Sequence, residues 1–178
     1  MSRPFHSRGF TLVELMITLA LLAIMAFIAI PSFTQLTRNN QLQAKAEELK
    51  SFLVFARSEA VTQRRAIKID ALDSTLWKIC YASAAPGSDK CPDDANTLRN
   101  LEVDSGTAKL VLTNAGGTAI NQLLYRPNGT ASVGALITVC RDKDASTGYL
   151  TSIAANGSAA LFPRGKSDNN GTALAKCE

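Results

Sequence analysis

Hydrophobic and polar residues follow three successive patterns along this chain. The first is a run from Phe10 to Ile30 that contains a single charged residue, Glu14, and neither glycine nor proline. In the second, from Leu42 to Ala60, apolar residues recur at alternating spacings of four and three, the period of one helix face. In the third, after Arg65, short β-like runs are separated by turn residues. These patterns predict a membrane-length helix, an amphipathic helix and a β-rich domain.

The first run is long enough to cross a bilayer, because its 21 residues extend about 31 Å as a helix. Arg3 and Arg8 precede it, and Arg38 is the first basic residue after it. The positive-inside rule therefore predicts a cytoplasmic N-terminus and a chain that continues outside. A plain signal anchor also fits this pattern. A cleaved secretory signal fits poorly, because the run exceeds the usual length, carries an acid and precedes no small-x-small cleavage site.

Pro31 follows the apolar run, yet the helical pattern continues beyond it. Because proline donates no backbone hydrogen bond and its ring crowds the preceding turn, we expect a kink or local unwinding there. We predict one helix from Phe10 to about Gln63, whose second part packs against a globular domain. Its buried stripe comprises Leu42, Ala46, Leu49, Leu53, Ala56 and Ala60, widened by Phe52.

The β-rich region contains seven β-like runs, of which the first two flank Asp73-Ser74 and predict a hairpin. We predict a loop over residues 84–92 and a polar tail over residues 164–178. The predicted strands are Ala66–Ala71, Thr75–Tyr81, Lys109–Thr113, Leu123–Arg126, Ala135–Arg141, Tyr149–Ala154 and Ser158–Phe162.

Three Asn-Gly-Ser/Thr triplets begin at Asn128, Asn156 and Asn170. Each matches the acceptor sequence for N-glycosylation, which carries weight only in a eukaryotic secreted chain. The first two are also strong turn signals, since both central residues tolerate a positive φ angle. With this N-terminus, we interpret all three as turns.

The residues at the start of the apolar run, Arg-Gly-Phe-Thr-Leu-Val-Glu-Leu, form a specific motif over residues 8–15. It resembles the class III signal of type IV pilins and of type II secretion pseudopilins. Shared features are a short basic leader, a glycine before a phenylalanine, an acid five residues into the mature chain and about twenty apolar residues. The resemblance implies cleavage between Gly9 and Phe10 by a prepilin peptidase and N-methylation of Phe10. The apolar segment then remains as the assembly element.

Glu14 is the most informative residue of the apolar segment, because an ionisable group among lipid-facing residues is costly and marks a functional role. It lies four residues from Phe10, on the same helix face. In the family that the motif resembles, the corresponding acid is thought to pair with the N-terminal amine of a neighbouring subunit. The alternative is a solvated acid at the membrane interface.

A second motif, Ala-Arg-Ser-Glu-Ala at Ala56–Ala60, is followed by basic residues and a β-like run. It resembles the GspH/FimT/FimU branch of minor pilins and pseudopilins. The implied fold class is α+β: a pilin-like fold with a long N-terminal helix, transmembrane and then amphipathic, packed on an antiparallel β-sheet domain. We interpret Arg57 and Glu59 as part of a solvated helix face. The expected segments are a leader (1–9), a transmembrane and assembly helix (10–30), an amphipathic helix (31–65) and a β-rich periplasmic domain with its C-terminal tail (66–178).

The four cysteines lie in the part of the chain placed outside the cytoplasm, where an oxidising environment favours disulfides. Three pairings are open. Proximity in sequence favours Cys80 with Cys91, which leaves Cys140 with Cys177. The second pair also agrees with the resemblance, because pilins commonly close a C-terminal loop with a disulfide. Zinc is the rival interpretation, but no pair has CxxC spacing.

Charge and composition argue against catalysis. The formal charge of +4 falls to +2 once Arg3 and Arg8 leave with the leader, and the single histidine, His6, leaves too. A Ser-His-Asp triad or a Cys-His catalytic pair is then excluded. Asp93-Asp94 is interpreted as a solvated loop pair, and no phosphate-cradling glycine motif is present. We expect no enzymatic activity, no cofactor and no metal.

The sequence therefore predicts a minor type IV pilin, a structural subunit of the tip or priming complex that helps to initiate pilus assembly, motility and adhesion. The expected partners are major and minor pilins through the N-terminal helix, the prepilin peptidase and, before assembly, the inner membrane. The domain is expected in the periplasm and then in the fibre. One alternative is a type II secretion pseudopilin. The other is a DNA-uptake receptor, with Arg164, Lys166 and Lys176 as weak DNA contacts, although a tail charge of only +1 argues against a nucleic-acid partner.

Overall fold

The computed structural model describes residues 10–82, 91 and 97–177, and it has an α+β architecture, which confirms the expected fold class. The chain divides into two compact units, Met1–Arg38 and Asn39–Glu178. One helix, α1, is followed by eight strands. The elements are α1 (Leu12–Thr62), β1 (Ile67–Ala71), β2 (Leu76–Tyr81), β3 (Thr97–Glu102), β4 (Lys109–Asn114), β5 (Gln122–Tyr125), β6 (Ala135–Cys140), β7 (Tyr149–Ile153) and β8 (Ala159–Leu161).

The described part of the first unit is the beginning of α1, and all its side chains are exposed. Within the described residues, α1 is the one helix that is long and apolar enough to cross a membrane. The helix continues through Pro31 without interruption, so the local unwinding that this proline allows is absent. In water such a helix leaves large apolar side chains unburied, and it therefore requires lipid or other apolar helices around it.

The second unit contains two four-stranded antiparallel sheets. Sheet A has the strand order β3-β2-β1-β5, and sheet B has the order β4-β6-β7-β8. The predicted hairpin is confirmed: β1 and β2 pair with Ala71 opposite Trp77. The carboxylate of Asp73 holds the turn by accepting hydrogen bonds from Thr75 N at 2.6 Å and from Leu76 N at 2.8 Å. The hydroxyl of Thr75, which donates to Asp73 Oδ1 at 2.7 Å, lowers the pKa of Asp73 most, and the two backbone bonds lower it further.

Strand β3 is absent from the sequence-based prediction. Within Thr97–Glu102 only Leu101 is buried, so the segment lacks the alternation that marks a strand. It becomes a strand because it pairs with β2, where Leu101 lies opposite Trp77. The predicted loop over residues 84–92 lies outside the described residues, apart from Cys91.

The second half of α1 packs on both sheets through the predicted stripe, every member of which is buried. Three of its positions are alanines, so the helix backbone can approach the sheets closely. Trp77, Tyr125 and Phe52 are the largest fully buried side chains of the core. Because burying one such large apolar side chain stabilises a fold by roughly 1.5–3 kcal/mol, this packing is the main source of the unit's stability.

Tyr125 carries a buried hydroxyl that has no hydrogen-bond partner in the described structure, and Thr151 Oγ1 is in the same situation. Burial raises the pKa of Tyr125 to about 12, and the charge of Arg57 opposes this only in part. The ordinary tyrosine pKa is about 10. Because the folded state holds this proton more tightly than the unfolded state, Tyr125 contributes stability that is lost as the pH rises from about 10 to about 12.

We therefore expect Tyr125→Phe to reduce the loss of stability at alkaline pH. At neutral pH the variant should be as stable as the parent, or more stable by about 1 kcal/mol, because an unpaired buried hydroxyl is removed. Urea unfolding followed by the fluorescence of Trp77, the single tryptophan, measures both effects. Tyr81→Phe is the control for the gain at neutral pH, because its hydroxyl donates to Glu59 Oε1 and its removal brings no such gain. An unchanged alkaline dependence in Tyr125→Phe would contradict the expectation.

Candidate functional site

Thr11 caps the N-terminus of α1. Its Oγ1 atom accepts a hydrogen bond from Glu14 N at 3.2 Å, and its carbonyl accepts one from Leu15 N at 3.2 Å. A threonine followed three residues later by a glutamate is the sequence of a capping box, in which both side chains satisfy the first unpaired N–H groups of a helix. The sequence-based prediction did not include this cap, although the spacing of Thr11 and Glu14 contains the signal. Thr11 therefore has a local structural role at the start of α1.

The carboxyl group of Glu14 lies in the first helical turn, where the partial positive charge of the helix end favours an anion. It is surrounded by exposed apolar side chains, including Phe10 and Leu12. Among the described residues no ion pair is seen for Glu14, whereas Lys45 Nζ and Glu48 Oε2 further along α1 lie 2.8 Å apart. A cation from another molecule would find an acceptor at Glu14.

From Phe10 to Ile30 nearly all the exposed side chains of the first unit are apolar, and such a surface suits lipid or similar helices but not water. This apolar surface is large for a chain of this size. Exposed apolar patches of this kind mark membrane or protein interfaces. The large exposed apolar residues are Phe10, Leu12, Val13, Leu15, Met16, Ile17, Leu19, Leu21, Leu22, Ile24, Met25, Phe27, Ile28, Ile30, Phe33 and Leu36.

Arg57 connects α1 to turns in two distant parts of the second unit. Its Nε donates to the Gly129 carbonyl and its Nη2 to the Asn156 carbonyl, each at 3.0 Å. These acceptors belong to the Asn128-Gly129 and Asn156-Gly157 turns. Gly129 and Asn156 lie 72 and 99 residues after Arg57 in the chain. The interpretation of Arg57 as a solvated residue is therefore wrong. Its planar guanidinium can serve two acceptors at once, which explains why arginine suits this position.

The two turns also contact each other closely, and both require glycine. Gly129 and Gly157 have φ angles of 79° and 80°, which other residues rarely adopt. A Cβ atom at Gly157 would overlap the carbonyl oxygen of Gly129, and one at Gly129 would lie 3.0 Å from Val61 Cγ2. We call this three-way contact of α1 with the two Asn-Gly turns the helix–turn junction, and it is defined by Arg57, Gly129 and Gly157.

Glu59 is also bonded rather than solvated. Tyr81 Oη donates to Glu59 Oε1 at 3.1 Å, and the guanidinium of Arg65 lies 4.2 Å from the centre of the Tyr81 ring. On the neighbouring face of the helix, Ala56 and Ala60 are fully buried. Four of the five residues of the Ala-Arg-Ser-Glu-Ala motif are thus explained. The alanines permit close packing, the arginine binds the turns and the glutamate binds the end of β2.

The structure contains both disulfides favoured above, Cys80–Cys91 and Cys140–Cys177. Cys91 is held further by its backbone N–H, which donates to Oδ2 of the buried Asp70 at 2.7 Å. The second disulfide ties the C-terminal tail to the end of β6. It packs against Gly148, where a Cβ atom would lie 2.7 Å from Cys177 Sγ and 2.8 Å from Cys140 Sγ.

The three basic residues of the tail, Arg164, Lys166 and Lys176, differ in their surroundings. Arg164 is exposed, whereas Lys166 Nζ donates to the Gly171 carbonyl at 2.9 Å and so closes a turn. Lys176 has an interaction of its own. Gly9 and Asp93-Asp94 lie outside the described residues. Within the described ranges, no group of three or more histidine, cysteine, aspartate or glutamate side chains is arranged to hold a metal ion.

Two family models match the chain: Type II transport protein GspH over residues 45–158, and the prokaryotic N-terminal methylation motif over residues 5–30. A protein described as Fimbrial protein from Pseudomonas aeruginosa is 29% identical over 139 residues, which cover 77% of this chain and 80% of that protein.

Two solved structures are also similar. The type IV minor pilin FimU of Pseudomonas aeruginosa is 30% identical, with a TM-score of 0.59, covering 75% of this chain and 97% of that one. The minor pseudopilin EpsH from the type 2 secretion system of Vibrio cholerae is 16% identical, with a TM-score of 0.55 and coverage of 72% and 99%. At that identity the EpsH match shows a shared fold alone.

We expect Arg57→Ala to lower the free energy of unfolding by about 2–3 kcal/mol, because it leaves two turn carbonyls without a charged donor. Arg57→Lys should also destabilise the chain, since an ammonium group lacks the planar fork. Trp77 fluorescence during urea unfolding is the measurement. Ser58→Ala is the matched control, because Ser58 is the exposed neighbour and should change stability by less than about 0.5 kcal/mol. Equal stabilities of Arg57→Ala and Ser58→Ala would contradict the assigned role of the junction.

Proposed function

Because the chain belongs to the GspH family of type II transport proteins, we propose that it is a structural minor pilin that enters a type IV pilus through the first half of α1. The families that it matches are structural subunits, and we propose no enzymatic activity for it. The observation that carries the proposal is the fully exposed apolar surface of the first unit, with one acid in its first turn. Such a surface needs lipid before assembly and other helices after it.

The N-terminal methylation motif over residues 5–30 supports processing of the chain. We propose that a prepilin peptidase cuts between Gly9 and Phe10 and that the new amino group of Phe10 is methylated. Removal of residues 1–9 deletes the basic leader, and α1 then begins almost at the chain terminus. The remaining segments are the assembly helix over residues 10–30, the amphipathic helix over residues 31–65 and the periplasmic domain over residues 66–178.

We propose that Glu14 pairs with the N-terminal ammonium group of a neighbouring subunit. Inside a bundle of apolar helices each of these charges alone is costly, whereas a pair satisfies both. The pairing favours one register between adjacent helices over the others. A shift of one helix along the other leaves both charges unpaired in an apolar environment. The partners are therefore other pilins that carry the same N-terminal segment.

We place the protein first in the inner membrane, with its domain in the periplasm, and then in the pilus, in a tip or priming complex that starts assembly. A pseudopilin role in type II secretion is the second candidate, supported by the family name. The pilus is favoured because FimU is 30% identical, while the match to EpsH supports a shared fold alone.

Replacement of Glu14 tests the pairing, and two variants separate it from helix capping. Glu14→Gln keeps a residue that suits a capping box but removes the charge, whereas Glu14→Ala removes both. We expect both variants to reach the membrane but to enter fibres about a hundredfold less than the parent, because an unpaired charge in an apolar environment costs roughly 2.5–3.5 kcal/mol. The measurement is the ratio of the chain in sheared fibres to the chain in membranes.

Glu47→Ala is the matched control, because it removes an exposed acid from the amphipathic half of α1 and should leave incorporation unchanged. Normal incorporation of Glu14→Gln, with failure of Glu14→Ala alone, would assign Glu14 to capping and contradict the charge pairing. Normal incorporation of both variants would contradict any assembly role for this residue.

A further inference from the structure

The three Asn-Gly pairs share a sequence that favours one covalent reaction. The backbone nitrogen of the glycine can attack Cγ of the asparagine, which closes a five-membered succinimide ring and releases ammonia. Water then opens the ring at either carbonyl and leaves aspartate or isoaspartate, with one new negative charge. The reaction needs a carboxamide that can turn towards the following nitrogen and a glycine whose backbone can move.

In two of the Asn-Gly pairs, hydrogen bonds fix the groups that would have to move for this reaction. Asn128 Oδ1 accepts hydrogen bonds from Thr130 N at 3.1 Å and Thr130 Oγ1 at 2.8 Å. Asn156 Oδ1 accepts equivalent bonds from Ser158 N at 3.0 Å and Ser158 Oγ at 2.8 Å. Both carboxamides are therefore fixed by the residue two positions along the chain.

The nitrogens that would attack are fixed as well. Gly129 N donates to the Arg126 carbonyl and Gly157 N to the Ala154 carbonyl, each at 2.8 Å. Both glycines are buried in the helix–turn junction, where Arg57 also binds the turns. Neither turn can rearrange to bring its nitrogen to the carboxamide carbon without breaking these contacts.

The third pair has different surroundings. Asn170 and Gly171 are exposed, and no atom lies within 4 Å of the position of a Cβ on Gly171. In the described structure the Asn170 carboxamide makes no hydrogen bond comparable to those of Asn128 and Asn156. The turn is anchored at its base, because Asp168 Oδ1 accepts from Asn170 N and Thr172 N at 2.9 Å.

The Asp168 carboxylate anchors the residues on both sides of Gly171, because Asn170 N and Thr172 N both donate to its Oδ1 atom. At the other two pairs, Gly129 N and Gly157 N themselves donate to backbone carbonyls. The third pair therefore combines an exposed turn with a carboxamide that no such hydrogen bond fixes.

We propose that Asn170 is a site of spontaneous deamidation, while Asn128 and Asn156 are protected by the fold. The product changes the formal charge of residues 164–178 from +1 to zero, because three basic residues then face three acids. Isoaspartate also lengthens the backbone by one methylene group, next to the bridge between Lys166 and Ala173. The Cys140–Cys177 disulfide keeps the tail attached, so an ageing subunit gains a different tail surface without losing its fold.

The test is incubation of the full chain in detergent at mildly alkaline pH, with peptide mapping by mass spectrometry. All three sites are followed in one sample. We expect Asn170 to convert first, with ammonia released in an amount equal to the aspartate and isoaspartate formed together. In urea all three pairs should convert at similar rates, since their sequences are alike. Equal rates at the three sites in the folded chain would overturn the proposal, as would conversion in urea without conversion of Asn170 in the folded chain.

Three variants test the assignment of rapid deamidation to Asn170. Asn170→Gln should abolish the rapid phase of ammonia release, and Asn169→Gln is the matched control that should leave it unchanged, because no glycine follows Asn169. Arg57→Ala should accelerate conversion at Asn128 and Asn156 but not at Asn170. Rapid ammonia release that persists in Asn170→Gln would overturn the proposal, and unchanged rates at Asn128 and Asn156 in Arg57→Ala would overturn the role of the junction in protecting them.

Discussion

The second unit depends on the close approach of α1 to two tight turns. Ala56 and Ala60 leave room for that approach, and Gly129 and Gly157 leave room for the turns to meet. Arg57 then donates a hydrogen bond to a carbonyl of each turn. A larger residue at Ala56 or Ala60 would separate the helix from the sheets, and one at Gly157 would push the two turns apart. The buried stripe packs the helix on both sheets, and these five residues join it to the two turns. Three of them, Ala56, Arg57 and Ala60, belong to the Ala-Arg-Ser-Glu-Ala motif.

The first unit obeys the opposite constraint. All of its described side chains are exposed, so the stability of this part of the helix comes from what surrounds it. The same coat of apolar side chains suits a bilayer and a bundle of similar helices, which allows the segment to move from one to the other. In the proposed pairing, the charge of Glu14 adds direction to an interaction that is otherwise unspecific, because it would favour one position of a neighbouring terminus over others.

Much of this architecture could be predicted from the sequence, because it depends on local pattern. The apolar run, the buried stripe of α1 and the β1–β2 hairpin each carry their periodicity in the chain, whereas β3 was missed because its side chains lack alternation. Arg57 was missed because its acceptors lie 72 and 99 residues away, and no local rule connects them. The Thr11 cap, in contrast, was visible in the spacing of Thr11 and Glu14.

The central claim is that the N-terminal segment is processed at its cytoplasmic edge and then retained as the assembly element. Mass spectrometry of the mature chain, purified from membranes and from sheared fibres, tests this most directly. The account predicts a first residue of N-methylated Phe10 in both fractions, with the apolar segment intact. A mature chain that still begins at Met1, or one that begins after Ile30, would contradict it.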